Sequence, residues 1–100
     1  MRIPKRFKLF GTTISVAFAE QLNMDDSAKG IASFRREKIS IQPSSNCWPR
    51  SKASIEQTYC HEIVHHILNA LSEDELCANE KFVDTFASAL HQVLTTAEYK

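Results

Sequence analysis

The sequence predicts an α+β domain in which a small antiparallel β-sheet of about four strands packs against two antiparallel helices that follow it in the chain. Residues 1–42 contain short runs of β-branched and aromatic residues broken by turn formers, which is typical of strands. Beyond residue 51 the apolar residues recur at about every 3.6 positions, which is typical of helices. The length of 100 residues with 43% hydrophobic content suffices for one core and is too small for two, so we expect a single domain over residues 1–100.

The strands are expected as two hairpins, with turns at residues 11–12 and 36–37. In the last strand Ile39 and Ile41 share one face, and polar residues occupy the other. A loop rich in Pro and Ser follows, and Trp48 is the only large apolar residue that can anchor it. The predicted strands cover residues 7–10, 13–18, 30–35 and 38–42, and the loop covers residues 43–51.

The N-terminal segment also has features of a secretory signal peptide, because basic residues precede an apolar stretch and residues 17–19 read Ala-Phe-Ala. We prefer a strand, since Ile14, Val16 and Phe18 alternate with small or polar residues. No apolar run approaches the roughly 20 residues that span a bilayer.

The cysteines and the charge balance restrict the compartment and the partners. Cys47, Cys60 and Cys77 are an odd count at wide spacings, so we expect reduced thiols in a cytoplasmic protein. Twelve basic and twelve acidic residues cancel, and we expect no nucleic-acid or membrane partner. The basic cluster near the N-terminus is interpreted as a solvated face; it comprises Arg2, Lys5, Arg6 and Lys8.

Two helices are predicted after the loop, over residues 55–70 and 73–95. Ser54 with Gln57 and Ser72 with Glu75 have the spacing of capping boxes. The apolar stripe of the first helix comprises Cys60, Ile63, Val64, Ile67, Leu68 and Leu71. The stripe of the second comprises Phe82, Val83, Phe86, Leu90, Val93 and Leu94.

The first helix contains the motif HExxH, formed by His61, Glu62 and His65. Four residues at about 100° each bring the two histidines onto one face, where both imidazoles can bind one zinc ion. Such an ion keeps one position for water and lowers the pKa of that water to about 7. Glu62 is then the predicted general base that accepts the proton of the water.

A catalytic zinc usually has three protein ligands, so a further one is expected downstream. Glu80 and Asp84 are four residues apart and therefore share a face of the second helix, at the border of its apolar stripe. We predict that Glu80 is the third ligand and that Asp84 accepts a hydrogen bond from a ligand histidine.

These residues resemble those of known metallopeptidases. HExxH followed by a helix with E-x-x-x-D is similar to the gluzincins, and residues 80–87 resemble the E-x-x-A-N/D-x-F-A signature of ImmA/IrrE-like metallopeptidases, with Val83 in place of its first alanine. Residues 7–11, 39–44, 56–68 and 79–99 also resemble short HExxH proteins encoded by bacteriophages and prophages. The resemblance implies zinc on His61, His65 and Glu80, with Glu62 as base, and it leaves the substrate unassigned.

The leading interpretation is therefore a zinc-dependent endopeptidase, in which the strand at residues 38–42 pairs with an extended peptide substrate. The alternatives are a catalytically silent zinc-binding interaction module of phage or prophage origin and a metal-free helical interaction protein. Other tempting residues receive no site role. His66 is expected outside the metal ligands, and His91 is about 16 Å along the helix from Glu80. Cys60 is expected to pack in the core, and Tyr59 and Tyr99 are interpreted as core-edge residues.

Overall fold

The computed structural model describes residues 1–19, 29–45 and 48–99. The strands are β1 (Arg6–Leu9), β2 (Thr12–Phe18), β3 (Gly30–Ser33), β4 (Lys38–Ile41), β5 (Ser44–Ser45) and β6 (Trp48–Pro49). The helices are α1 (Lys52–Ala70), α2 (Asp74–Cys77) and α3 (Glu80–Thr96). The α+β class is confirmed, because a four-stranded sheet from the N-terminal half packs against the C-terminal helices. Among the described residues, no helix combines the length and the apolar character needed to cross a membrane.

The main sheet is mixed, so the expectation of a purely antiparallel sheet is wrong. Its strand order is β1-β2-β4-β3, and β4 lies parallel to β2 with Val16 opposite Ile39. The chain reverses after the edge strand β3 and inserts β4 in the middle of the sheet. Ile39 and Ile41 are consequently fully buried. The strand expected to bind peptide, residues 38–42, therefore has neighbours on both sides, and the edge strands are β1 and β3.

The first hairpin has its turn one residue earlier than predicted. Leu9 pairs with Thr12, so the turn consists of Phe10 and Gly11, with φ values of 50° and 82°. Positive φ at both positions is the geometry of the tight turns that match strand twist, and Gly11 adopts it without steric cost. In the second hairpin, Glu37 has a φ of 53° and its N–H donates to the carbonyl of Phe34.

Helix α1 lies between the sheet and α3 and contributes to both cores. The core toward the sheet comprises Ile14, Ile39, Ile41 and Tyr59. The core toward α3 comprises Cys60, Val64, Leu68, Val83 and Ala87. Several residues of the predicted stripes are instead exposed, namely Leu71, Phe86, Val93 and Leu94. The contact between α1 and α3 thus uses a narrower stripe than the sequence pattern offers.

The helix boundaries and the loop differ from the expectation. The cap of α1 is Ser51, whose side chain accepts a hydrogen bond from the N–H of Ser54. The second predicted helix is divided into α2 and α3, and the side chain of Asn79 caps α3 by accepting from the N–H of Phe82 at 3.1 Å. Ser72 has a φ of 59°, outside the range of a capping residue. Trp48 is 76% exposed, so it does not anchor the loop.

Candidate metal centre

A cleft of about 710 Å³ lies between the edge strand β3 and the helices α1 and α3. Its walls include all five residues that the sequence analysis predicted for the site: His61, Glu62, His65, Glu80 and Asp84. Residues 15–23 positions apart in the chain meet here because α3 packs along α1. The site is therefore a product of the helix pair.

The two histidines and Glu80 converge on one point. Oε2 of Glu80 lies 3.0 Å from Nε2 of His61, and its Oε1 lies 3.2 Å from Nε2 of His65. One donor atom from each residue lies within 4.8 Å of the others. The imidazole rings are 4.9 Å apart between centroids, as expected for histidines one helical turn apart.

This donor set fits zinc. A tetrahedral zinc site with bonds of about 2.1 Å has ligand atoms roughly 3.4 Å apart. The carboxylate-to-imidazole distances of 3.0 and 3.2 Å involve different oxygens of Glu80, and one ligand atom from each residue lies within 4.8 Å of the others, so small side-chain shifts bring the three to that spacing. Two nitrogens and one carboxylate are also ligands that zinc prefers. Burial lowers the pKa of His65, although the negative charge of Glu80 opposes this shift. The lowered pKa favours the neutral imidazole, which is the form that binds a metal.

Glu62 lies against the sheet beside these residues. Its side chain is buried, and this burial raises its pKa to about 7, with a smaller contribution from the negative charge of Glu80. The nearby His61 and a hydrogen bond from the backbone N–H of Ala32 oppose the shift. A divalent cation nearby would also lower this pKa and favour the carboxylate, which is the form that a base needs.

The edge strand β3 closely approaches α1 at this carboxylate. A Cβ atom on Gly30 would lie 2.5 Å from Cγ2 of Thr58 and 3.2 Å from Oε2 of Glu62. Only glycine permits this approach without displacement of a side chain. The absence of a side chain at residue 30 thus allows β3 to hold Glu62 through Ala32.

Arg50 links the strands to α1, a role that the sequence analysis did not predict. Its guanidinium donates to the carbonyls of Lys29 at 3.2 Å and Gln42 at 2.6 Å. It also donates to the carbonyl of Ser54 at 3.0 Å and to the hydroxyl of Thr58. No sequence signal distinguishes this arginine, because it stands alone at the end of a predicted loop.

The Nδ1 atoms of His61 and His65, which lie on the far side of each ring from Glu80, also have neighbours. Nδ1 of His61 lies 3.4 Å from Oδ1 of Asp84, consistent with the expected role of that carboxylate. Nδ1 of His65 lies 3.5 Å from Sγ of Cys77, a contact that sequence spacing did not indicate. Burial raises the pKa of the Cys77 thiol, with contributions from Asp74 and Glu80, so the neutral thiol is favoured.

The remaining histidines lie outside the metal cluster, as expected. His66 is buried, and its Nε2 donates to the carbonyl of Lys38 at 3.1 Å, which fastens α1 to β4. Nε2 of His91 donates to Oε1 of Glu56 at 2.8 Å. Both rings thus have partners that stabilise the fold.

The tyrosines and the other cysteines are also explained by packing or exposure. Tyr59 packs edge-on against Phe7, and burial raises its pKa to about 12. Tyr99 is 85% exposed, so the interpretation of this residue as part of the core edge is wrong. Cys60 is fully buried and its pKa is raised to about 11, so its expected packing role is confirmed. Cys47 lies outside the described residues.

No model of a known protein family matches the chain, and no curated protein or solved structure matches it significantly. The function of the cleft must therefore be inferred from its own residues.

Proposed function

We propose that the protein is a zinc-dependent endopeptidase of the gluzincin type, similar to the ImmA/IrrE-like metallopeptidases, and that it acts in the cytoplasm. The observation that carries this proposal is the convergence of His61, His65 and Glu80 beside the buried carboxyl of Glu62 in one open cleft. Structural zinc sites usually have four protein ligands. Three ligands with an ionisable group beside them favour a site that leaves a position for water.

In this proposal His61, His65 and Glu80 hold the metal, which when bound polarises the substrate carbonyl and acidifies a water molecule. Glu62 accepts the proton of the attacking water and delivers it to the leaving amine. Glu62 lies buried in the same cleft beside these ligands, where its carboxylate can accept a proton and return it. Asp84 orients His61 through Nδ1.

The substrate is proposed to lie along β3 as an extended peptide. Because the carbonyl of Lys29 accepts a hydrogen bond from the N–H of Gln42, the backbone groups of the next residue, Gly30, point toward the open side of the sheet. An added strand can use such groups. A structure with bound peptide tests this placement, and a peptide that lies away from β3 would exclude it.

The alternative is a zinc-binding interaction module of phage or prophage origin without turnover. It requires the same three ligands but gives no role to the carboxyl of Glu62. Burial of an ionisable group is costly, and a glutamine would make the same contacts without that cost. The burial of this ionisable carboxyl beside the three proposed ligands therefore favours the enzyme.

The decisive experiment compares the parent with Glu62→Gln, using exposed Glu75→Gln as a matched control. Zinc content is measured by elemental analysis, and turnover is measured on an unfolded protein and on a library of quenched fluorescent peptides. We expect Glu62→Gln to retain about one zinc per chain while turnover falls by about 10² to 10⁴. Full turnover in Glu62→Gln, or zinc-loaded parent without turnover on any of these substrates, contradicts the proposed activity.

A further inference from the structure

The segment from Cys77 to Asp84 contacts all four imidazole nitrogens of the two HExxH histidines. Glu80 faces both Nε2 atoms, Asp84 lies at Nδ1 of His61, and Cys77 lies at Nδ1 of His65. The two outer partners differ in chemistry, because one is a carboxylate and the other a thiol.

The position of the thiol is determined by local backbone structure. Cys77 ends the four-residue helix α2, and its N–H donates to the carbonyl of Glu73 at 2.9 Å. Two residues later Asn79 caps α3. The sulfur and the carboxylate of Glu80 thus come from one short junction, and they approach opposite nitrogens of the ring of His65.

We propose that Cys77 is a positioning residue that orients His65 for metal binding, an inference that rests on the zinc site of the proposed function. When Nε2 of His65 is a ligand, its proton is on Nδ1 and points at Sγ of Cys77 at 3.5 Å. The thiol hydrogen is donated to the backbone carbonyl of His65, also at 3.5 Å, which leaves the sulfur lone pairs to accept. The same side chain therefore contacts both the ring and the backbone of one ligand.

This arrangement predicts a measurable effect on the metal. Loss of a partner at the second nitrogen of a ligand histidine lowers metal affinity by about 10 to 100-fold. Sulfur is a weaker hydrogen-bonding group than oxygen, so the lower end of that range, about 10-fold, is expected for Cys77. Serine retains a donor and an acceptor at the same position.

The test compares Cys77→Ala and Cys77→Ser with the parent, and it uses Leu76→Ala as a matched control. Leu76 is the neighbour of Cys77 on α2 and packs against the core between α1 and α3, so its removal loosens α2 without removing the thiol. Zinc affinity is measured by competition with a chromogenic chelator, and the visible absorption of the cobalt(II) form reports the ligand field. Thermal unfolding reports stability separately.

We expect Cys77→Ala to weaken zinc binding about 10-fold and to shift the cobalt(II) absorption, and Cys77→Ser to restore most of the affinity. Leu76→Ala should lower the melting temperature and leave the zinc affinity and the absorption unchanged. If the Cys77→Ala variant does not fold, Cys77→Val takes its place in the test, because valine lacks the thiol and has a volume similar to that of cysteine.

Three results would overturn the proposal: equal zinc affinity in the parent and the thiol-free variant, equal weakening in Leu76→Ala, or no recovery with Cys77→Ser. In each of these cases the proposed enzymatic function still stands if the parent binds zinc and the Glu62→Gln variant loses turnover. A parent that binds no zinc overturns both proposals.

Discussion

Oε2 of Glu80 lies 3.0 Å from Nε2 of His61, although Glu80 is the first residue of α3 and His61 lies in the middle of α1. The second oxygen of the same carboxylate reaches His65 at 3.2 Å. Glu80 is the only residue of α3 among the three in this metal cluster. Its carboxylate is therefore the part of the proposed site that depends on helix packing.

Glu80→Gln is expected to weaken zinc binding because it removes an anionic ligand. The loss of affinity should exceed the roughly 10 to 100-fold that follows when a ligand histidine loses the hydrogen-bond partner of its second nitrogen. The zinc dissociation constant and the stoichiometry after dialysis are the measurements. His65→Ala should give the same metal-poor protein, and Glu75→Gln on α2 should match the parent. A Glu80→Gln protein with unchanged zinc affinity would show that the third ligand lies elsewhere.

The environment of the Glu56 carboxylate indicates how the stability of the fold should change at low pH. The hydrogen bond from His91 lowers its pKa below the usual 4.5, against the effect of burial, and the N-terminal amine at 3.2 Å contributes in the same direction. A carboxyl group with a lower pKa in the folded state stabilises the fold above its unfolded pKa. That stabilisation is lost as the pH falls from about 4.5 through the folded pKa.

Urea unfolding of the metal-free protein between pH 3 and 7 tests this expectation. The midpoint of the parent should fall more steeply below pH 4.5 than that of Glu56→Gln, which has no carboxylate to protonate. The exposed residue Glu98 provides the control, and Glu98→Gln should follow the parent. Parallel curves for the parent and Glu56→Gln would contradict the assigned role of Glu56.

Gly30→Ala is expected to affect both stability and turnover. The added methyl group would meet Cγ2 of Thr58 at 2.5 Å and Glu62 at 3.2 Å, so β3 or the side chains must shift. Overpacking of this kind costs about 1 to 3 kcal/mol of unfolding free energy. Displacement of Glu62 should lower turnover, while zinc content is retained because no proposed ligand has changed.

Two comparisons separate steric overlap from general damage. Thr58→Ser removes the methyl group nearest to the added Cβ and keeps the hydroxyl that Arg50 contacts, so it should recover stability in the Gly30→Ala background. Gly11→Ala has space for its Cβ but a φ of 82°, and it should cost about 1 to 2 kcal/mol without a change in turnover. Absence of any recovery with Thr58→Ser would contradict the steric explanation.

The cysteines are expected to be free thiols. Cys60 and Cys77 are unpaired in the structure, and Cys60 is fully buried. Alkylation of the denatured, unreduced protein should modify Cys47, Cys60 and Cys77 together, as measured by intact mass. In the native protein Cys60 should remain unmodified because it is inaccessible and its pKa is raised to about 11. A pair of cysteines that resists alkylation until reduction would contradict the cytoplasmic proposal.

Local pattern predicted several parts of the protein correctly. Alternation predicted that Ile39 and Ile41 share one face of their strand, and both are fully buried. Helical spacing brought His61 and His65 onto one face, where their rings are 4.9 Å apart. Each of these results depends on residues close in sequence, for which backbone geometry alone determines the relative positions.

Local pattern failed where several alternatives satisfied it equally. Ser51 and Ser54 are both chemically suitable helix caps, and only Ser51 caps α1. The continuous apolar spacing of residues 73–95 concealed a break after α2, where the backbone turns at Ala78 and the side chain of Asn79 caps α3. The hydrophobic pattern also did not reveal that Phe86 would remain about half exposed.

The sequence by itself determined the α+β class and the residues of the HExxH helix, because strand and helix periods and an i, i+4 spacing are properties of neighbouring residues. Tertiary structure alone decided that β4 lies inside the sheet, which makes β3 the open edge beside Glu62. It also brought the sulfur of Cys77 to His65. These relationships join segments distant in the chain, and they follow from which apolar faces bury one another, a choice that no single segment contains.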